Sequence, residues 1–214
     1  MIRDWAEWVS YISMLSVVLP LAIVCIKRNQ LVTFQRSIGV LVAVTFISEI
    51  IVYVPTFFEI GNLPMLHLFT VLQFVLLANI MRKVLVPLIS NRTLNILMMA
   101  FILFASIDAL FLNGIDNFNS YSRPLASFIL VFLALCYFYK TLKELKVKSL
   151  DKEPLFWLHI GILIYFSGSF FIFLFTNYIK TSNDALFTLW GIHAIFNIFL
   201  NISYAIALWI QPTN

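Results

Sequence analysis

Seven stretches of about twenty consecutive, mostly apolar residues run through the chain, at 9–26, 37–54, 64–81, 94–113, 122–140, 155–178 and 186–210. A bilayer core about 30 Å thick takes a helix of this length, and inside it every backbone N–H and C=O must find its partner within the protein. A membrane β-barrel would instead show segments of about ten residues alternating with period two. These runs are continuous, so the expected fold is all-α: a polytopic bundle of seven transmembrane helices. With 62% hydrophobic and 11% charged residues, the chain lacks the polar surface of a soluble globule and the charge of a disordered tail. Its two cysteines are too few for a disulfide-stapled secreted fold. Cys25 and Cys136 carry no spacing motif and read as small buried apolar residues.

Lys and Arg near span ends are retained on the cytoplasmic side. The first, third and fifth loops carry eleven of the fourteen, among them Lys27, Arg36, Arg82, Lys83, Lys140, Lys143, Lys146, Lys148 and Lys152. The N-terminus and the other loops carry only Arg3, Arg123 and Lys180. This split predicts an outside N-terminus, a cytoplasmic C-terminus and an inner (plasma) membrane location. It also accounts for the net charge of +4 by topology, with no nucleic-acid partner required.

No Gly-, Pro- or Ser-rich linker divides the chain, and residues 1–214 read as a single transmembrane domain. Pro20 falls inside the first span and should kink it. Several spans open on capping or N1-type signals: Asn62 before Pro64, Ser122 before Pro124, Glu153 before Pro154, and Asp184. The fifth loop, KTLKELKVKSLDKE, reads as an anchor on anionic lipid or as a basic stalk for a cytoplasmic partner.

Ionisable groups within the spans cost several kcal/mol unless they are paired or face a wet cavity, so each is a functional candidate. At ~1.5 Å rise per residue, Glu49, His67, Asp108 and His193 share one depth, ~6–8 Å from the midplane toward the outer face. They come from the second, third, fourth and seventh spans. His and carboxylate are suitable ligands for a divalent metal such as zinc, which makes these four a candidate metal set. Gln73 and Asn197 lie near the midplane below them, and Arg123 above, at the outer end of the fifth span. The seven residues together form the expected ligand-binding shell. His193, Asn197 and Asn201, at i, i+4 and i+8, share one helix face with Tyr204; interhelical hydrogen bonding explains that stripe as well as ligand binding does. His159, near the inner end of the sixth span, reads as interfacial, and Ser167-Gly168-Ser169 as a site of close helix packing.

A retinal Schiff base needs a Lys in the middle of the last span, which has none. The zinc hydrolases that resemble adiponectin receptors and alkaline ceramidases carry His-x3-His in the last helix, on the inner side; this chain has His193-Ala-Ile-Phe-Asn197. No Gly-x-Ser-x-Gly elbow occurs. Three runs, PMLHLFTVLQFVLLANIMRK, FNSYSRPLASFILVFLALCYFYKTL and PLFWLHIGILIYFSGSFFIFLF, with WGIHAIFNIFLNISYAIAL in the last span, together resemble a family of orphan seven-helix membrane proteins of Bacteroidota. Some of that family occur beside or fused to sensor histidine kinases. The resemblance covers most of the chain from the second span onward, and it implies a signalling partner of that kind. The family pattern has Glu where this chain has Gln73, a departure that removes one charge.

The expectation is a sensing module with a polar ligand or cation pocket in the outer half of the bundle, acting on a cytoplasmic partner such as a histidine kinase. Two alternatives stay open from the residues alone. One is a metal-dependent membrane hydrolase acting on lipid, and the other a cation- or proton-coupled transporter.

Overall fold

The computed structural model describes residues 2–57, 62–86, 88–144, 149–179 and 183–211. Among these there are helices and no strands: α1 (Ile2–Ser16), α2 (Val18–Lys27), α3 (Thr33–Phe57), α4 (Leu63–Leu85), α5 (Asn91–Ile107), α6 (Ser122–Glu144), α7 (Pro154–Ile179) and α8 (Asn183–Trp209). A π turn at Asp108–Leu112 prolongs α5, and a short 3-10 turn at Leu150–Lys152 precedes α7. Seven helical stretches are long and apolar enough to cross a membrane: Trp5–Lys27, Thr33–Val52, Leu63–Leu85, Asn91–Leu112, Ser122–Glu144, Pro154–Thr176 and Ala185–Trp209. Their outward faces carry large apolar side chains such as Ile26, Met99, Leu103 and Phe111, which in water would be a liability and in lipid are the expected surface.

The first span is two helices because Pro20 has no N–H and its ring crowds the carbonyl four residues back, that of Ser16. The helix breaks at Val17, and α2 restarts with Pro20 in its first turn, where a missing donor costs little. The Ser16 hydroxyl, at the break, accepts from Asn201 Nδ2 at 2.8 Å.

Alternating helix direction gathers the starts of α1, α4, α6 and α8 at one end, termed the near end, and the α8 C-terminus at the far end. Neighbour packing runs α1 and α2 on α8, α8 on α7, α7 on α6, α6 on α4, α4 on α3, and α3 back on α2 and α8. Six spans therefore form a closed ring. The fourth, α5, sits outside it against α4 and α6, with Phe101 on Phe74 at 4.0 Å between ring centres.

At the far end, side chains satisfy helix-terminal carbonyls, which otherwise have no partner. Buried Gln35 donates to the carbonyls of Ala207 at 3.0 Å and Ile210 at 2.8 Å and accepts from the Val32 N–H. Lys27 Nζ donates to the Trp209 carbonyl at 2.7 Å, and Lys140 Nζ to those of Val84 and Val86. Beneath lies a packed apolar layer including Ile38, Leu41, Leu77 and Leu208.

Three expectations change. Cys25 is exposed on the bundle surface and Cys136 half-buried, because the first span meets lipid on the face that carries Cys25. His159 is fully buried rather than interfacial: it stacks on Tyr137 at 3.7 Å between ring centres, with Nδ1 2.6 Å from the Leu155 carbonyl. Asn62 precedes α4 without capping it by its side chain; it reaches back to the Val52 carbonyl at 3.2 Å. In the fifth loop α6 ends at Glu144, and Lys146 and Lys148 lie outside the described residues. Half-buried Glu153, before α7, has its carboxyl pushed up from the ordinary value by burial, partly offset by a backbone hydrogen bond at Leu155.

Candidate functional site

Within the six-helix ring lies a cavity of about 550 Å³, in the size range of small-molecule pockets. Every ring span contributes to its wall: Ser10 and Ser13 from α1, Thr45 and Glu49 from α3, Gln73 from α4, Arg123 from α6, Tyr165 and Phe173 from α7, and Trp190 through Tyr204 on one face of α8. Phe118 and Asn119, from the segment before α6, also line it. The α8 stretch covers fifteen residues, ~21 Å of helix from first to last, so the cavity runs deep into the bundle.

Arg123 is the second residue of α6 and is buried. The start of that helix is held by Asp108, whose carboxylate accepts from the Ser122 N–H at 2.8 Å and from Asn113 Nδ2 at 2.6 Å. Asn119 adds a bond to Thr70 on α4 at 2.6 Å. From this fixed origin the guanidinium reaches into the cavity wall. Nη1 donates to Gln73 Oε1 at 2.6 Å and Nη2 to the Tyr165 hydroxyl at 2.9 Å. The Tyr165 oxygen lies 3.0 Å from His193 Nε2; having accepted from Arg123, its O–H is available to donate to a neutral imidazole. One chain of hydrogen bonds thus joins α4, α6, α7 and α8.

The electrostatics of Arg123 are unusual. Among the described residues its side-chain hydrogen-bond partners are an amide and a phenol, both neutral, and its guanidinium lies over the ring of Phe173 at 5.0 Å and near that of Phe166 at 5.7 Å. Cation–π contacts contribute about 0.5–2 kcal/mol each and soften the several kcal/mol that a charge buried in a membrane costs, but they supply no counter-charge. Of five guanidinium donors, three are left for another acceptor. Glu49 lines the same cavity, half-buried, and makes no hydrogen bond among the described residues. The Tyr204 hydroxyl, also in the wall, is buried without a partner among the described residues.

Five of the seven residues expected in the shell border this one cavity: Glu49, Gln73, Arg123, His193 and Asn197. Two do not. His67 faces the segment between α5 and α6, with Nε2 3.0 Å from the Asn117 carbonyl. Asp108 caps α6 from the outlying helix α5. Both share the depth of Glu49 and His193 but not their direction, because depth follows from sequence position whereas the facing of a helix follows from its neighbours. The expected metal set of Glu49, His67, Asp108 and His193 is therefore not assembled. Among the described residues no three His, Cys, Asp or Glu side chains gather as a metal ion would require.

Asn197 Nδ2 donates to Ser13 Oγ at 2.9 Å, and Asn201 to Ser16, so the polar stripe of α8 also glues α1 in place. Tyr165 escaped the sequence reading. The only signal for it is a phenol near the middle of a span, where a buried O–H has to find a partner.

The role of Asp108 is open to test. Asp108→Ala strands the Ser122 N–H and the Asn113 amide, at a cost of about 1–3 kcal/mol. The expected result is a lower thermal midpoint of the purified protein in nanodiscs, with the cavity's binding behaviour retained. Loss of binding at an unchanged midpoint would return Asp108 to the site.

Comparison of the chain with models of known protein families, with curated proteins and with solved structures found no match.

Proposed function

We propose that this chain is a multi-pass inner-membrane sensing module that holds a small ligand through an anionic group set on Arg123, and that occupancy is passed to a cytoplasmic signalling partner. The observation that carries the reading is a buried guanidinium whose hydrogen-bond partners among the described residues are neutral, beside a cavity able to hold a small molecule. A ligand anion supplies the counter-charge the scaffold withholds, and charge-assisted bonds of this kind are about twice as strong as neutral ones. The packed apolar layer toward the far end, with Ile38, Leu41, Leu77 and Leu208 fully buried, favours a pocket over a passage. The cation distribution supports a cytoplasmic C-terminus, which makes the near end the outer one. The resemblance to proteins found with sensor histidine kinases suggests the class of partner.

Two measurements test this reading. Alkaline phosphatase fused after Asn214 should be inactive, and an active fusion overturns the orientation. Protein in nanodiscs, presented with a panel of carboxylates, phosphates and amino acids, should be thermally stabilised by at least one anion-bearing compound. A panel with no stabilising member overturns the ligand reading.

A further inference from the structure

The cavity holds two ionisable groups of opposite sign, and they do not pair with each other. Arg123 spends its hydrogen bonds on Gln73 and Tyr165, while Glu49, on α3 across the ring, has no hydrogen bond among the described residues. In a medium of low dielectric an unmet guanidinium and carboxylate attract strongly, so two such groups lining one cavity of about 550 Å³ without a contact between them leave room for something to bridge them.

We infer that the cavity takes a zwitterion: its carboxylate on the Arg123 guanidinium and its ammonium on the Glu49 carboxylate. This rests on the anion-binding reading above and names the ligand class. A simple anion would satisfy Arg123 but face the Glu49 carboxylate. A simple cation would satisfy Glu49 but be repelled by Arg123. Only a ligand carrying both charges pairs both groups and leaves the cavity neutral, and mispaired charges are how such sites reject near analogues. The body of the ligand is apolar. Phe173, which underlies the guanidinium, lies 6.2 Å from the ring of Trp190, and Phe69 lines the same cavity. A volume of about 550 Å³ admits an amino acid with a large aliphatic or aromatic side chain. The unpartnered Tyr204 hydroxyl deep in the cavity offers one further polar contact.

The test uses the full chain in nanodiscs and calorimetric titration. The probes are apolar α-amino acids such as phenylalanine and leucine, ω-amino acids of increasing length to sample the separation of the two charges, and the single-charge counterparts 3-phenylpropanoate and 2-phenylethylamine. At least one zwitterion should bind tenfold or more tightly than its single-charge counterparts. Glu49→Gln should erase that advantage from both sides, weakening the zwitterion and strengthening the simple anion, which no longer faces a carboxylate. Since the Glu49 side chain holds no structural bond among the described residues, this variant should fold normally, with a thermal midpoint no lower than that of the unsubstituted protein. If 3-phenylpropanoate binds as tightly as every amino acid and Glu49→Gln changes nothing, the zwitterion is refuted while the anion site stands. If no anion-bearing probe binds, both fall together.

Discussion

Arg123→Gln is expected to reduce affinity for the anion-bearing ligand by ten- to more than a hundredfold without lowering the stability of the unliganded protein. A hydrogen bond to a charged group contributes about 1.5–3 kcal/mol, and each 1.4 kcal/mol is a factor of ten in affinity. The guanidinium presents up to three further donors to the cavity, so the lower figure corresponds to a single lost bond. Stability should respond in the opposite sense, because the unliganded protein carries a buried charge with neutral hydrogen-bond partners, at a cost of several kcal/mol. Removing it relieves that cost, against the loss of bonds to Gln73 and Tyr165. Arg123→Lys should fall between: the charge remains but the planar fork that can meet an oxyanion with two parallel bonds is lost. Titration calorimetry and thermal midpoints on the same samples check both halves. Should Arg123→Gln lower midpoint and affinity in proportion, the guanidinium is a structural tie rather than a ligand anchor.

The second large effect concerns the close approach of α7 and α8. A Cβ placed on Gly161 would lie 2.6 Å from Ser203 Cβ and 2.9 Å from its Oγ, distances that only backbone movement relieves. In lipid the hydrophobic effect contributes little between helices, and close packing of small residues is what holds them together. Gly161→Val should therefore destabilise by about 3 kcal/mol, the upper end for overpacked cores, and displace the α8 face that carries His193 and Asn197. Gly161→Ala should cost less and be largely rescued by Ser203→Gly, because the pair restores the missing space; the coupling is read as a double-mutant cycle. Gly168 provides the contrast. Its Cβ would meet the far edge of the Phe196 ring at 2.5 Å, and a ring that can rotate about its side-chain bonds absorbs part of the clash. A Gly161→Ala midpoint no lower than that of Gly168→Ala would contradict this account.

The seven spans were legible in the sequence because a bilayer imposes a length and an apolar composition that continuous runs display directly. Even the break near Pro20 follows from one missing N–H, and the predicted 64–81 and 155–178 fall within or close to Leu63–Leu85 and Pro154–Thr176. Depth was legible for the same reason, since rise per residue is fixed. Direction was not. In a span that is apolar on nearly every side, hydropathy does not say which face meets lipid, so Asp108 and His67 looked equivalent to Glu49 and His193. Only packing separates them: α5 lies outside the ring and its Asp108 turns to the start of α6, while α4 directs Gln73 inward and His67 toward Asn117. The pairing of Arg123 with Gln73 and Tyr165 belongs to tertiary structure too, because it joins three helices whose order around the ring no run of residues encodes. What the sequence by itself determined is a seven-span helical chain with its polar groups at known depths. Which of those groups share a cavity, and which merely hold a helix end, was decided by the rotation of each helix against its neighbours.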